Sequence, residues 1–331
     1  MRSHRRGGLF PGVAGLLGLA LLVPLTARAQ EEVVKLGDLP GISNAGIFIA
    51  IEKGYFKEQG IRSDTTTFAS AAKMLPALMA GELEVSTGAA SAGLFNAIAQ
   101  GAPFRIVADK GQVRPGTGFS MLNVRKDLVD SGQVKSVRDL KGRKVAIYAK
   151  GNIHEYTLGK MAEEVGLTIR DFDLTYLAAP NQLAAFKTRA IDAGMTAEPW
   201  AAQFEEAGLA VKFRTPDQVV GLGPVQIACI MYSGKFIRER RPVAQAWMNA
   251  YIKGARFYAE RGPKDDDVAA IIGQYTKVPA RIVKTAIPHY QDPEGKLILE
   301  SLADQIKWHF ANGRLEKAVS VDQVVDLSFL R

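Results

Sequence analysis

The chain has 331 residues, of which 47% are hydrophobic, and basic side chains exceed acidic ones by eight. This length and apolar content suffice for two packed domains of ordinary size. The single cysteine, Cys229, excludes an internal disulfide and a metal site built from several cysteines. Nucleic-acid binding needs a clustered basic face, whereas the densest basic run, Arg238–Arg241, includes an acid and is typical of a solvated helix entrance.

The first residues have the order of a secretory signal peptide. Arg2, Arg5 and Arg6 precede an apolar run at 13–25, and Ala27-Arg28-Ala29 supplies small residues around a cleavage site. A retained membrane anchor is the alternative, but the run contains two glycines and a proline and is shorter than the roughly 20 apolar residues that span a bilayer. We therefore expect residues 1–29 to be removed on export to the periplasm. Their removal takes away four arginines and no acids, which leaves a net charge of +4.

Beyond residue 30, a predicted strand stands directly ahead of a helix in four segments, at 33–57, 83–100, 144–165 and 191–200. The first and third share a loop with glycine and asparagine and a glycine-apolar exit from the helix. The second and fourth share an apolar, acidic, small step, Leu83-Glu84-Val85 and Ile191-Asp192-Ala193. Alternating strands and helices indicate parallel sheets covered on both faces. The recurrence predicts two α/β lobes, each a mostly parallel sheet flanked by helices.

Ligands of open α/β sheets bind beyond the carboxyl ends of the strands, where loops lead into helices. The backbone N–H groups at a helix start lack partners within the helix and can meet a ligand there. Small residues allow a ligand to approach the main chain, and aromatic rings can stack on it. The alternative for each residue is ordinary capping, turn formation or packing. The candidate ligand-binding residues are Ser43, Asn44, Phe68, Ser70, Ala71, Thr87, Gly88, Ala89, Ser91, Tyr148, Gly151, Asn152, His154 and Glu198.

Ser70-Ala71-Ala72-Lys73 has the spacing of the nucleophile and lysine in penicillin-recognising acyl enzymes. That class also needs Ser-Asp-Asn and Lys-Thr-Gly elements, and neither occurs in the chain. The apolar residues after Ser70 instead follow helical spacing, which predicts a helix with Ser70 at its N-cap. Pro76 lies within that helix and is expected to distort its first turns.

Several spaced segments carry a resemblance to a known family. They are 46–60 (GIFIAIEKGYFKEQG), 80–85 (AGELEV), 139–145 (DLKGRKV), Glu198-Pro199-Trp200 and 322–330 (DQVVDLSFL). Together they resemble the substrate-binding proteins of bacterial ABC importers for nitrate, alkanesulfonates, taurine and thiamine-precursor pyrimidines. The resemblance covers essentially the whole chain after the predicted signal peptide.

The resemblance implies a two-lobed periplasmic binding protein of type II. It places the first lobe at 30–118, the second at 119–226 and the return segment of the first at 227–331, with crossings near Phe119 and Gln226. It further implies that the protein delivers a small molecule to the permease and ATPase subunits of an importer. Two lobes that face one another across a cleft can close over a ligand by a hinge motion. We expect a monomer without a cofactor, and the expected ligand is a sulfonate, a nitrate-like anion, an aromatic acid or a pyrimidine.

Two other functions are compatible with the same fold. One is an enzyme, either hydrolytic or similar to the fungal pyrimidine synthases, although the cysteine-rich iron motif of those synthases is missing here. The other is a sensor subunit that binds the ligand and reports to a receptor. The expected charge of the ligand depends on whether Glu198 faces the cleft, where its carboxylate would favour a ligand with an amino group. Lys110 or Lys150 would instead favour an anion.

Overall fold

The computed structural model describes residues 31–68 and 70–330, together with Gly8. Glu31–Arg331 forms one compact unit. The predicted signal peptide at 1–29 lies outside the described residues, apart from Gly8.

The described residues form two β-sheets flanked by α-helices, and short 3-10 turns join several of these elements. The strands are β1 (Glu32–Asp38), β2 (Ile61–Thr67), β3 (Val85–Gly88), β4 (Arg105–Val113), β5 (Ser120–Arg125), β6 (Lys144–Ile147), β7 (Asp173–Tyr176), β8 (Ala193–Ala197), β9 (Ala210–Arg214) and β10 (Val225–Tyr232). The helices are α1 (Ala45–Glu52), α2 (Tyr55–Glu58), α3 (Ala71–Ala80), α4 (Ala92–Ala99), α5 (Lys126–Asp130), α6 (Ile153–Glu164), α7 (Ala179–Lys187), α8 (Trp200–Glu206), α9 (Gly234–Glu239), α10 (Arg241–Arg261), α11 (Asp266–Thr276), α12 (Ala280–Val283), α13 (Leu299–Ala311) and α14 (Val321–Val324).

The two sheets have the same topology. In the described residues the first sheet has the strand order β2-β1-β3-β10-β4, and the second has the order β7-β6-β8-β5-β9. In each sheet the fourth strand in this order, β10 or β5, runs antiparallel to both neighbours, and the other strands run in the opposite direction to it. The predicted fold class, two α/β lobes with mostly parallel sheets, is confirmed.

The antiparallel strand of each sheet is the one by which the chain arrives from the other lobe. The chain leaves the first sheet at the end of β4 and enters the second as β5. It returns from β9 to the first sheet as β10. Phe119, where one crossing is predicted, directly precedes β5, and Gln226 is the second residue of β10.

All four predicted strand-to-helix units are present. They are β1 with α1, β3 with α4, β6 with α6 and β8 with α8, and a 3-10 turn at Ile42–Asn44 precedes α1. Because β1 is parallel to β3, and β6 to β8, the helices of each pair begin at the same edge of their sheet.

The first lobe is completed by the long helix α10, which packs against α1. The two backbones approach so closely that a Cβ atom on Gly254 would lie 2.0 Å from the carbonyl oxygen of Gly46. Glycine at 254 therefore permits this helix contact. No helix in the described part of the chain is both long and apolar enough to cross a membrane.

The helix predicted after Ser70 is also present as α3, and Ser70 occupies its N-cap. Pro76 lies inside this helix, as predicted, and the helix continues past it to Ala80. Met74 and Leu78 are buried on its inner face, whereas Met79 is 46% exposed. The apolar stripe on this helix is therefore narrower than its sequence spacing suggests.

Candidate functional site

A cavity of about 160 Å³ lies between the two lobes, at the edge where the helices begin. The first lobe contributes the loop after β1, the starts of α3 and α4, and parts of β4 and β10. The second lobe contributes the loop between β6 and α6 and the start of α8. The cavity is lined by Leu39, Pro40, Gly41, Ser43, Ser70, Ala71, Gly88, Ala89, Ser91, Gly93, Lys110, Phe119, Tyr148, Ala149, Lys150, Asn152, Ile153, His154, Ala197, Trp200, Ile227 and Ala228.

Three helices meet the cavity through polar residues at their N-caps. Ser91 Oγ accepts a hydrogen bond from the N–H of Leu94 at 3.3 Å, and Asn152 Oδ1 accepts one from the N–H of Glu155 at 3.1 Å. Ser70 makes no such side-chain bond within the described residues. The Ser91 hydroxyl and the Asn152 amide nitrogen keep their protons, so both can donate to a ligand.

Lys110 on β4 provides a positive charge at the cavity wall. The residue is only 2% exposed, and its Nζ donates to Ser43 Oγ at 3.2 Å and to Asn44 Oδ1. An ammonium group has three N–H donors, and the described residues occupy two of them. Burial lowers the pKa of Lys110 to about 8, although the nearby Asp38 opposes that change. Lys110 therefore carries its charge at neutral pH.

Asp38 and its partners fix the base of this lysine site. Asn44 Nδ2 donates to Asp38 Oδ1 and to the carbonyl oxygen of Leu39, the latter at 2.7 Å. The Thr87 hydroxyl donates to the same Asp38 oxygen at 3.2 Å. Burial raises the pKa of Asp38, while Lys110 and these hydrogen bonds lower it. Asn44 thus connects the carboxylate to the ammonium group and orients both.

Aromatic side chains form much of the opposite wall. The rings of Tyr148 and His154 pack edge to face, with centroids 4.2 Å apart, and the Tyr148 hydroxyl accepts from the N–H of Ala197 at 3.3 Å. Trp200 and Phe119 also line the cavity. Burial lowers the pKa of His154 to about 3, so its imidazole is neutral at physiological pH. The wall offers apolar and aromatic surface with few charges.

The structure brings most of the predicted ligand-binding residues to this one cavity. Those that line it are Ser43, Ser70, Ala71, Gly88, Ala89, Ser91, Tyr148, Asn152 and His154. Four others lie outside the lining. Asn44 and Thr87 are buried behind Lys110, Phe68 packs beside α3, and Gly151 is buried in the loop before α6.

Glu198 also lies outside the cavity lining and is fully buried. One carboxylate oxygen accepts from Lys212 Nζ at 2.9 Å and from the N–H of Ile287 at 3.0 Å, and the other accepts from the N–H of Ala202 at 2.8 Å. Burial raises the pKa of Glu198, whereas Lys212 opposes that shift. Its carboxylate is therefore occupied by protein partners, so it does not supply an acceptor for a ligand amine.

Other lining residues are absent from the predicted set, apart from Lys110 and Lys150, which the sequence offers as cations for an anionic ligand. Two sequence signals identify Lys110 and Trp200: a lysine shortly after the apolar run at 106–108 of β4, and a tryptophan directly after Pro199. The remaining additions depend on tertiary packing. The added residues are Leu39, Pro40, Gly41, Gly93, Phe119, Ala149, Ile153, Ala197, Trp200, Ile227 and Ala228.

The surroundings of Ser70 match a helix cap. Its carbonyl oxygen accepts from the backbone N–H of Lys73 at 3.1 Å, and the Lys73 side chain is exposed. The Ser70 side chain makes no cap hydrogen bond in the described part of the chain. Nor do the described residues contain a group of three or more His, Cys, Asp or Glu that could hold a metal ion.

Solved structures of low sequence identity share this fold. The ligand-binding component of an ABC-type import system from Staphylococcus aureus, with zinc bound, is 15% identical, with a TM-score of 0.76, over 90% of this chain and 97% of that one. The alkanesulfonate-binding protein SsuA from Xanthomonas axonopodis pv. citri, bound to MOPS, is 20% identical, with a TM-score of 0.72, over 91% and 100%. The periplasmic nitrate-binding protein NrtA from Synechocystis PCC 6803 is 15% identical, with a TM-score of 0.73, over 90% and 86%.

The chain has the two-lobed fold of periplasmic binding proteins, as its similarity to these structures and the cavity between its lobes show. A model of the NMT1-like family matches residues 27–273, and the chain belongs to that family. The predicted family resemblance is thereby confirmed. A comparison with curated proteins gave no match.

Proposed function

We propose that the chain is the periplasmic solute-binding component of an ABC importer and that it captures a small organic anion between its lobes. The observation that carries this proposal is the buried Lys110, which faces a mostly apolar cavity and has one N–H donor that no described residue occupies. Membership of the NMT1-like family and the shared fold of the import and sulfonate-binding proteins support the role.

The charge of the site favours an acidic group on the ligand. Each hydrogen bond to a charged group contributes about 1.5–3 kcal/mol, so Lys110 and three donors at the helix starts would contribute roughly 6–12 kcal/mol. Micromolar affinity needs about 8 kcal/mol net. An aminopyrimidine would need a carboxylate in the cleft to accept from its amino group. Glu198 does not supply one, because it is paired with Lys212.

The walls of the cavity favour an organic body on that ligand. Tyr148, Trp200 and Phe119 present aromatic surface, and Ile153 and Ile227 add aliphatic surface. Such walls bind apolar groups by removing them from water. Of the expected ligand classes, sulfonates and aromatic acids fit better than a nitrate-like anion, which has no apolar part, or a pyrimidine.

Ligand binding tests this proposal directly. Native mass spectrometry of the purified chain without residues 1–29 would identify a ligand that co-purifies with it. A thermal-shift panel of benzenesulfonate, benzoate, nitrate and an aminopyrimidine then ranks the classes, since a ligand at 100 times its Kd stabilises the fold by about 2.7 kcal/mol. We expect benzenesulfonate or benzoate to raise Tm.

Two variants make the test specific. K110M should abolish the response to anions, whereas K150M, which removes a lysine at the exposed rim, should weaken it only slightly because exposed charges contribute little. A response to the aminopyrimidine alone, or an unchanged response in K110M, would contradict an anionic ligand. Co-purification with a permease rather than a receptor would distinguish import from sensing.

A further inference from the structure

Glu155, in the first turn of α6, is a fully buried acid that does not line the cavity. One of its oxygens, Oε2, accepts a hydrogen bond from the backbone N–H of Gly151. The other, Oε1, accepts from Arg314, at 3.0 Å from Nε and 2.5 Å from Nη2. A single carboxylate therefore joins the loop before α6 to an arginine far along the chain.

Arg314 belongs to the opposite lobe. It follows α13, and its backbone N–H donates to the carbonyl oxygen of His309 at 2.8 Å. Its own carbonyl oxygen accepts from Asn96 Nδ2, on α4, at 2.9 Å. The backbone of Arg314 is thus held by two helices of the first lobe, whereas Glu155 belongs to the second.

The first lobe also holds the loop before α6 at a second point. The N–H of Ala92, at the start of α4, donates to the carbonyl oxygen of Gly151 at 2.8 Å. Both polar groups of Gly151 therefore depend on the opposite lobe, one directly and one through Glu155. The neighbouring residues Tyr148, Asn152 and His154 line the cavity.

Other contacts join α6 to α13 without reaching this loop. The Tyr156 hydroxyl donates to Asp304 at 2.5 Å, and Lys160 pairs with the same carboxylate at 3.0 Å. Trp308 Nε1 donates to Glu163 at 2.6 Å. These contacts would hold the helices together whatever the loop conformation, so they provide a control for Glu155.

We propose that Glu155 is a positioning residue, which fixes the loop at 148–154 in its ligand-binding conformation when Arg314 approaches from the other lobe. A buried carboxylate that loses its cation is strongly destabilised. Separation of the lobes therefore frees Glu155 to turn toward water and releases the Gly151 N–H. Closure would thus complete the site as well as cover it. This inference rests on the proposed function, because it assigns the loop to ligand binding.

Hydrogen exchange of the ligand-free chain tests this coupling. In R314M and E155Q, amide exchange across 149–153 should become about tenfold faster or more, and R314K should restore most of the protection. D304N, which removes the Tyr156 and Lys160 contacts, should leave exchange of the same peptide within about twofold. R314K and E155Q keep the test decisive if R314M fails to fold.

Affinity for benzenesulfonate provides the second measurement. R314M should weaken binding about tenfold, mainly through faster dissociation. D304N should weaken it much less, because the Asp304 side chain is 42% exposed and exposed ion pairs contribute little. Equal loop exchange in R314M and D304N, or unchanged exchange in both R314M and E155Q, would overturn the role of Glu155. If no probe binds, the proposed ligand class fails, but the exchange experiment still decides whether Glu155 positions the loop.

Discussion

Substitution of Gly151 by alanine tests how tightly the two lobes must close around the ligand. Gly151 has φ +71°, and a Cβ atom there would lie 2.9 Å from the Cβ of Ala92 in the other lobe. Carbon atoms in favourable contact are about 3.5–4.0 Å apart. G151A therefore introduces two costs: strain from the left-handed backbone at residue 151, and overlap with Ala92 that arises only when the lobes are together.

The two costs have different measurable effects. The left-handed backbone costs an L-residue about 1–2 kcal/mol, which should lower the free energy of unfolding. Overpacking costs about 1–3 kcal/mol, and because it affects only the closed state, ligand affinity should fall roughly 5- to 150-fold. Denaturation and calorimetric titration of the ligand found in the panel measure the two quantities separately.

A second substitution separates these effects within one experiment. A92G in the G151A background removes the overlapping methyl group, so affinity should return toward that of A92G alone, while the loss of stability persists. Small-angle scattering should show more open molecules in G151A than in the double variant. Wild-type affinity in G151A, or failure of A92G to restore it, would refute the closed contact between the two residues.

Three further outcomes follow from the side chains around the cleft. Burial lowers the pKa of Lys110 to about 8, so the lysine loses its charge above that pH. Anion affinity measured by calorimetry should therefore be constant below pH 8 and fall up to tenfold per pH unit above it. Constant affinity up to pH 10 would exclude Lys110 as the residue that binds the anion. K212M leaves the Glu198 carboxylate buried without its cation, so urea denaturation should show a loss of about 3 kcal/mol, which E198Q in the same chain should largely reverse. S91A removes the cap bond to Leu94 and should cost about 1 kcal/mol, whereas S70A should cost less because Ser70 makes no such bond; equal losses would contradict this difference.

Local sequence signals are sufficient to predict the repeated units of the fold. The glycine and asparagine loops after β1 and β6 and the small residues after β3 each lie beside the strand and helix that they connect. Nine of the predicted ligand-binding residues line one cavity. Eight come from these loops or from helix starts, and the ninth, Gly88, is the last residue of β3. Their positions depend mainly on the sheet edge to which the loop belongs.

Features that depend on distant partners could not be predicted in the same way. Glu198 lies beside a predicted helix start, but its partner Lys212 is on β9, so the sequence does not reveal that its carboxylate is occupied. Gly151 was expected to admit a ligand, whereas the group that approaches it is Ala92 of the other lobe. Both differences arise from contacts between segments that are far apart along the chain.

The strand order also constrains when each lobe can be completed as the chain emerges during synthesis or export. The second sheet draws all its strands from one continuous stretch, β5 to β9, so it can assemble without the rest of the protein. In the first sheet, β10 separates β3 from β4. Until β10, which ends at Tyr232, is free to fold, β3 lacks its partner on one side and β4 cannot pair with the sheet.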